Sequence, residues 1–155
     1  MSSTEESTGQ SPTISQALHA KLDMPFDEAV DRVQLEHEIA GFETIATTRL
    51  DRFVEGVLEV DDVERASLIV VCHAQIAHDA MELDRALTGL LPCTTVVYEV
   101  PDDEYVHAHH VSATKAMRDL GVDVDQDGLD DIIELTGDRM TEVWSHVEEI
   151  AVDED

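Results

Sequence analysis

Eight histidines and two cysteines are the residues of this 155-residue chain scarce enough for their positions to be informative; the 36 carboxylates are too plentiful for that. The densest group is Tyr105-Val106-His107-Ala108-His109-His110, which on a strand puts His107 and His109 on one face and His110 on the other. Neutral imidazole and thiolate bind Zn²⁺ and related ions. Cys72, Cys93, His107, His109 and His110 are therefore candidate transition-metal ligands, and His73 or His78 could add a donor from an adjoining helix. Their spacing follows no standard zinc pattern. Cys72 ends an apolar run and Cys93 opens a later one, which allows both thiols to lie at one edge of the same sheet. Cys72, Cys93 and His73 are accordingly the candidates for a small-ligand or thiol site. The plainer alternatives are buried free thiols packing as small hydrophobes and histidines half exposed on a sheet face.

Which of these residues meet depends on one register. Pro101-Asp102-Asp103 is a turn-rich junction between two strand-like runs, 94–100 and 104–111. A hairpin pairing Val100 with Tyr105 sets Thr95 opposite His110 and Tyr98 opposite His107, and makes Cys93 a diagonal neighbour of His110 on one face. A three-residue loop would reverse that parity.

A second acidic pattern, Asp123-Val-Asp125-Gln-Asp127-Gly128-Leu-Asp-Asp131-Ile-Ile-Glu134, meets the spacing of an EF-hand calcium loop at its acidic positions and its glycine. The eighth position, Asp130, is charged where that loop carries an apolar residue, and no second EF-hand is present. The same residues also suit the acidic first turn of a helix, where carboxylates meet the positive end of the macrodipole. No Ser-His-Asp order, phosphate-binding glycine loop or dinucleotide fingerprint occurs.

The positioning elements follow from periodicity. Residues 14–22 alternate weakly as a strand. From Phe26 the positions Phe26, Ala29, Val30, Val33 and Ala40 predict a helix that Gly41 ends. Residues 42–47 read as a strand, and 51–58 as a short helix with Phe53, Val54 and Val57 turned inward. The almost unbroken apolar run 66–72 reads as a central strand covered on both faces. Residues 75–87 predict a helix ended by Gly89. Past Gly128, Ile133, Met140, Trp144, Val147 and Ala151 form one stripe of a long C-terminal helix. Helices and strands intermingle but include a direct hairpin, which points to an α+β fold. Residues 1–13 read as a disordered acidic tail, 14–150 as one domain and 151–155 as an acidic C-terminal tail.

The charge bounds the partners. Nine Lys plus Arg against 36 Asp plus Glu give a net charge of −27, and only two of the nine are lysines, Lys21 and Lys115. Such a surface repels itself at ordinary ionic strength, while a Debye length of about 3 Å at 1 M salt removes the penalty. Salt adaptation is the expectation. Nucleic acid and anionic membrane are excluded as partners, because no basic patch is available to neutralise phosphates. No apolar run approaches the roughly 20 residues that span a bilayer, and the N-terminus lacks a basic and an apolar signal region. A cytoplasmic location is expected.

Four blocks carry a family resemblance: Leu22-Asp-Met-Pro-Phe-Asp-Glu-Ala-Val-Asp-Arg-Val with Gly41-Phe42 following, Ile69-Val-Val-Cys72, Gly89-Leu-Leu-Pro-Cys93, and Val96-Val-Tyr-Glu. In that order they resemble the family catalogued as domain of unknown function 302, over about residues 15–150, with the acidic character of a halophilic archaeal-type member. The resemblance implies a sheet of four to five strands backed by helices, similar to one half of the TATA-binding-protein fold, and homodimers. It implies no settled activity. Family members typically follow the first cysteine with Asn-Pro, whereas this chain has Cys72-His73-Ala74, which puts a capping role at that position in doubt.

The expectation is thus a cytoplasmic, salt-adapted homodimer that binds a small molecule or metal near Cys72, Cys93 and the histidine hairpin, with calcium at Asp123–Glu134 as a separate possibility. One alternative is a small thiol-dependent enzyme or redox protein using Cys72 or Cys93. The other is a structural or partner-binding domain without chemistry.

Overall fold

Alternating apolar positions in five short segments build a single antiparallel sheet, seen in a computed structural model that describes residues 18–111 and 123–153. In chain order the elements are β1 (His19–Leu22), α1 (Phe26–Ile39), β2 (Glu43–Arg49), α2 (Leu50–Leu58), β3 (Ala66–Cys72), α3 (Ala74–Leu83), a 3₁₀ segment (Arg85–Leu90), β4 (Cys93–Tyr98), β5 (Val106–Val111) and α4 (Gln126–Glu149). The strands lie in the order β1-β5-β4-β3-β2, so the first strand pairs with the last and the hairpin strands β4 and β5 occupy the middle. The α+β architecture and the long C-terminal helix agree with the sequence pattern. The expected disordered tail 1–13 lies outside the described residues. Residues 151–153 return to β1: Ala151 bridges Leu22, and Val152 N–H donates to Lys21 C=O.

Two helices cover one face of the sheet. α1 buries Phe26, Ala29, Val30, Val33 and His37, and stops where Gly41 takes φ +98°, a backbone state that side chains resist. α4 is capped by Asp125, whose carboxylate accepts from Gly128 N–H, and buries Met140, Val143, Trp144 and Val147 against the same core. A second, smaller core joins α3, the 3₁₀ segment and the first half of α4 through Ile76, Ala80, Leu87, Leu129 and Ile132.

Among the described residues the opposite face of the sheet carries no helix layer of this kind, and two sequence expectations change there. β3 alternates between half-buried and buried residues, so it is covered on one face rather than both. α2 has its apolar stripe turned outward: Phe53 is 60% and Val57 63% exposed, and Asp51 is the helix's buried residue. A period-3.6 stripe specifies that a helix has an apolar side, but not that this chain supplies something to cover it. The helix expected over 75–87 ends earlier, at Leu83, because Asp84 turns extended and its carboxylate caps the 3₁₀ segment through Ala86 N–H.

Asp51 pins the start of α2. It accepts two hydrogen bonds from Arg49 at 2.8 Å and a third from Ala66 N–H, and the Arg49 guanidinium holds its carboxyl down at about 2. Arg49 and Arg65 each lie 5.1 Å from the centre of the buried Phe26 ring, so this charge network also closes the N-terminal end of α1. Asp51→Ala should destabilise the fold by about 1–3 kcal/mol, because it leaves Ala66 N–H and the guanidinium without their acceptor. Denaturant unfolding in concentrated KCl measures this, and an unchanged midpoint would show that the network contributes nothing.

Candidate functional site

β5 carries imidazoles on both faces, and each face builds its own hydrogen-bonded chain. The sequence expectation for the hairpin holds: Thr95 is opposite His110 and Tyr98 opposite His107. On the face away from α1 and α4, His107 and His109 project beside His19, which β1 sets directly opposite His109. His107 Nε2 donates to the Asp103 carboxylate at 2.7 Å, and its Nδ1 lies 3.0 Å from His19 Nε2. His19 Nδ1 lies in turn 3.1 Å from His109 Nδ1. With the three rings neutral, the carboxylate fixes every tautomer: His107 accepts from His19, His19 accepts from His109, and His109 Nε2 keeps its lone pair. Burial holds the His109 imidazolium down, so neutrality is its preferred state. Tyr98 stacks on His107 with ring centres 5.2 Å apart and an interplanar angle of 15°.

On the helix-covered face, His110 joins a wholly buried chain. His37 Nδ1 donates to Val33 C=O at 2.8 Å, which leaves His37 Nε2 to accept from the Thr95 hydroxyl at 2.9 Å. Thr95 Oγ1 then accepts from His110 Nδ1 at 2.9 Å. Burial drives both rings toward the neutral form. His37 lies below its ordinary value, and His110 is pushed down to about 3, with the neighbouring His37 and His109 adding to the effect. Trp144 of α4 lies against this pair, its ring centre 6.4 Å from His110 and 6.5 Å from His37.

The structure therefore brings His107 and His109 together and sets His110 apart from them, through the thickness of the sheet. The cysteines are separated as well. Val71 is the residue opposite Cys93, so Cys93 points into the helix-covered core and Cys72 to the other face. Burial pushes the Cys72 thiol up, although α3 starts two residues later. Cys93 donates to Leu91 C=O at 3.5 Å. His73 occupies the N-cap of α3 without a side-chain cap bond; its ring meets Phe42 edge-on at 5.5 Å and lies 3.3 Å from where a Cβ on Gly41 would sit.

Residues 123–134 do not form a calcium loop. α4 already begins at Gln126, so Asp127, Asp131 and Glu134 are spaced along a helix instead of wrapping an ion, and the glycine at 128 serves the Asp125 cap. Asp79, Glu82 and Asp131 rim an open groove of about 390 Å³ there, with Leu83 and Ile132 in its floor. Among the described residues no three His, Cys, Asp or Glu side chains are grouped to hold a metal ion.

Two site residues were not singled out from the sequence, His19 and His37. His19 joins through the pairing of the first strand with the last, and His37 through helix docking over Thr95, and neither placement has a local signal. His37 does fall four residues after Val33 in the apolar register of α1, and that was the available hint.

Comparison with known proteins agrees with this architecture. Residues 18–147 match the family described as "Domain of unknown function DUF302". The crystal structure of an uncharacterized conserved DUF302 protein from Bacillus stearothermophilus is similar to this chain with a TM-score of 0.69 and 15% identity, covering 82% of this chain and 94% of the other. No curated protein matches.

The buried relay predicts how stability follows pH. In the unfolded chain histidines gain protons below about 6.5, whereas folded His110 stays neutral down to about 3 and folded His37 is shifted the same way. Their contribution is complete above the unfolded value and drains as pH falls toward the folded one. Between pH 6 and 5 the slope from His110 should reach about 1.4 kcal/mol per pH unit, with His37 adding in the same direction. Urea unfolding across that interval measures it, and a flat profile would mean that the two rings titrate as freely folded as unfolded.

Proposed function

The chain belongs to the family described as domain of unknown function DUF302, and from that premise we propose that it is a homodimeric metal-binding domain of a salt-adapted cytoplasm. The observation that carries the reading is the His19–His109 pair, two Nδ1 atoms 3.1 Å apart on the half-open face of the sheet. Two nitrogens bound to one tetrahedral ion at 2.0–2.1 Å lie about 3.3 Å from each other, so the pair needs only a small adjustment. His109 can move its proton to Nε2, which frees both Nδ1 lone pairs without changing the ring's charge. His19 Nε2 continues to donate to His107, itself held by Asp103, and such outer partners orient a ligand imidazole and raise its basicity. Imidazole donors favour Ni²⁺, Cu²⁺ and Zn²⁺, and a net charge of −27 raises the local concentration of any cation. Two protein ligands leave the other positions to water or a small molecule.

A second copy is the partner this surface supports. Among the described residues, one chain offers both a sheet face without a helix layer, with Leu68, Val70 and Val96 along it, and a helix, α2, whose Phe53, Val57 and Leu58 are exposed. Those two unpartnered features suit each other across a twofold axis. Mutual repulsion between two such acidic chains makes association depend on salt.

The thiol-dependent alternative has weaker support, since Cys72 and Cys93 face opposite sides of the sheet and burial disfavours the Cys72 thiolate.

Calorimetric titration of the untagged protein with Ni²⁺, Cu²⁺ or Zn²⁺ in concentrated KCl tests the metal reading. His19→Ala and His109→Ala should each weaken binding by about tenfold or more, with Cys72→Ser and Cys93→Ser close to the parent. Equal affinity in the histidine variants would sink it. For the dimer, light scattering in concentrated KCl should give twice the chain mass, and Phe53→Asp should return it to one. A parent protein that is monomeric at every salt concentration would rule the interface out.

A further inference from the structure

The buried relay ends on one more acceptor than it has donors, and the Trp144 indole beside it is a donor without a partner. Once His37 Nδ1 donates to Val33 C=O, the order of hydrogen bonds is forced, and it ends with His110 Nε2 as an acceptor. Across from it, Trp144 is 2% exposed and its Nε1 donor has no hydrogen-bond partner, while His110 itself is 1% exposed. An unsatisfied indole N–H in such surroundings is disfavoured by roughly 1–3 kcal/mol, so a native core seldom retains one. The ring centres are 6.4 Å apart and tilted by 52°. Two successive hydrogen bonds of about 2.9 Å bridge nitrogens up to roughly 5.5 Å apart, which this ring separation permits.

We propose that one small neutral molecule, water in class and size, is held between Trp144 Nε1 and His110 Nε2 and joins α4 to the relay. The occupant must accept from the indole and donate to the imidazole. An anion without a proton has nothing to donate, and an ammonium-type cation has no lone pair to accept, so neither fits both ends. Among the charged and titratable neighbours, His37 and Thr95 are already committed to each other and to His110, while Glu36 on α1 gives Oε2 to Arg32 and its buried Oε1, without a hydrogen bond, lies 3.8 Å from His146 Nδ1 of α4. Buried waters of this kind typically link otherwise unpaired polar groups between packed elements. The chain from Val33 to Trp144 would then tie α1, β4, β5 and α4 into one network, independent of whatever binds on the opposite face.

Trp144 is the chain's sole tryptophan, so its indole N–H gives a single, unambiguous resonance. In an ¹⁵N-edited NOESY and ROESY pair on the intact protein, that proton should show a cross-peak at the water frequency with the sign that marks long residence. A resolved indole resonance without it would overturn the proposal. Trp144→Phe supplies the second measurement: loss of the bridging molecule should shift the His110 Nε2 resonance, whereas an unchanged His110 ring would also overturn the proposal. If that variant does not fold, the spectrum of the parent protein decides alone.

Discussion

The register of the β4–β5 hairpin is the constraint from which both histidine networks follow. Because side chains alternate strictly along a strand, setting Thr95 opposite His110 sends His110 into the core and simultaneously sends His107 and His109 to the other face. A slip by one residue would reverse every one of these assignments. It would bury His107 and His109 beneath α1 and α4, away from Asp103 and His19, and would pull His110 away from His37. Two buried imidazoles without partners would then oppose folding, so the polar residues enforce the register that the apolar ones permit.

The sheet's two faces have different roles for a related reason. α1 and α4 suffice to cover one side, where Ala20, Leu22, Ile69, Val71, Val97 and Ala108 are buried with them. α2, the remaining helix that follows a strand directly, is tethered by the Arg49–Asp51 pair at the end of β2 and keeps its apolar stripe exposed. The consequence is a half-open surface on which β1 and β5 display imidazoles while β3 and β4 display aliphatic side chains. That openness, among the described residues, contrasts with the closed opposite side.

Sequence pattern was a sound guide wherever the decisive contact was local. The hairpin could be read from Pro101-Asp102-Asp103 and the parity of its flanks, and with it the neighbours Tyr98–His107 and Thr95–His110. α1 and α4 could be read from apolar spacing together with an acidic start. What escaped detection was non-local. His19 meets His107 from 88 residues away, and His37 meets Thr95 from 58 residues away, through strand order and helix docking that periodicity does not encode. The same limit explains the outward stripe of α2 and the one-sided cover of β3. The calcium pattern failed for a different reason: in a chain this rich in aspartate, acidic spacing recurs by composition, and Asp125 served as a helix cap.

The lowered pKa values of His37, His109 and His110 run against the protein's overall field. A net charge of −27 attracts protons and by itself raises every imidazole pKa, yet His37, His109 and His110 are all shifted the other way. Range decides the contest. Surface carboxylates more than a Debye length away, about 8–10 Å at moderate salt, are largely screened, and concentrated salt shortens that reach further. Desolvation acts at the ring itself and is not screened, so it sets the protonation state of the buried pair and tips that of His109. High salt thus does two things at once for such a molecule: it relaxes the repulsion between acidic surfaces and it insulates the imidazole networks from them. The low pKa values of His37, His109 and His110 in so acidic a protein follow from that difference in range.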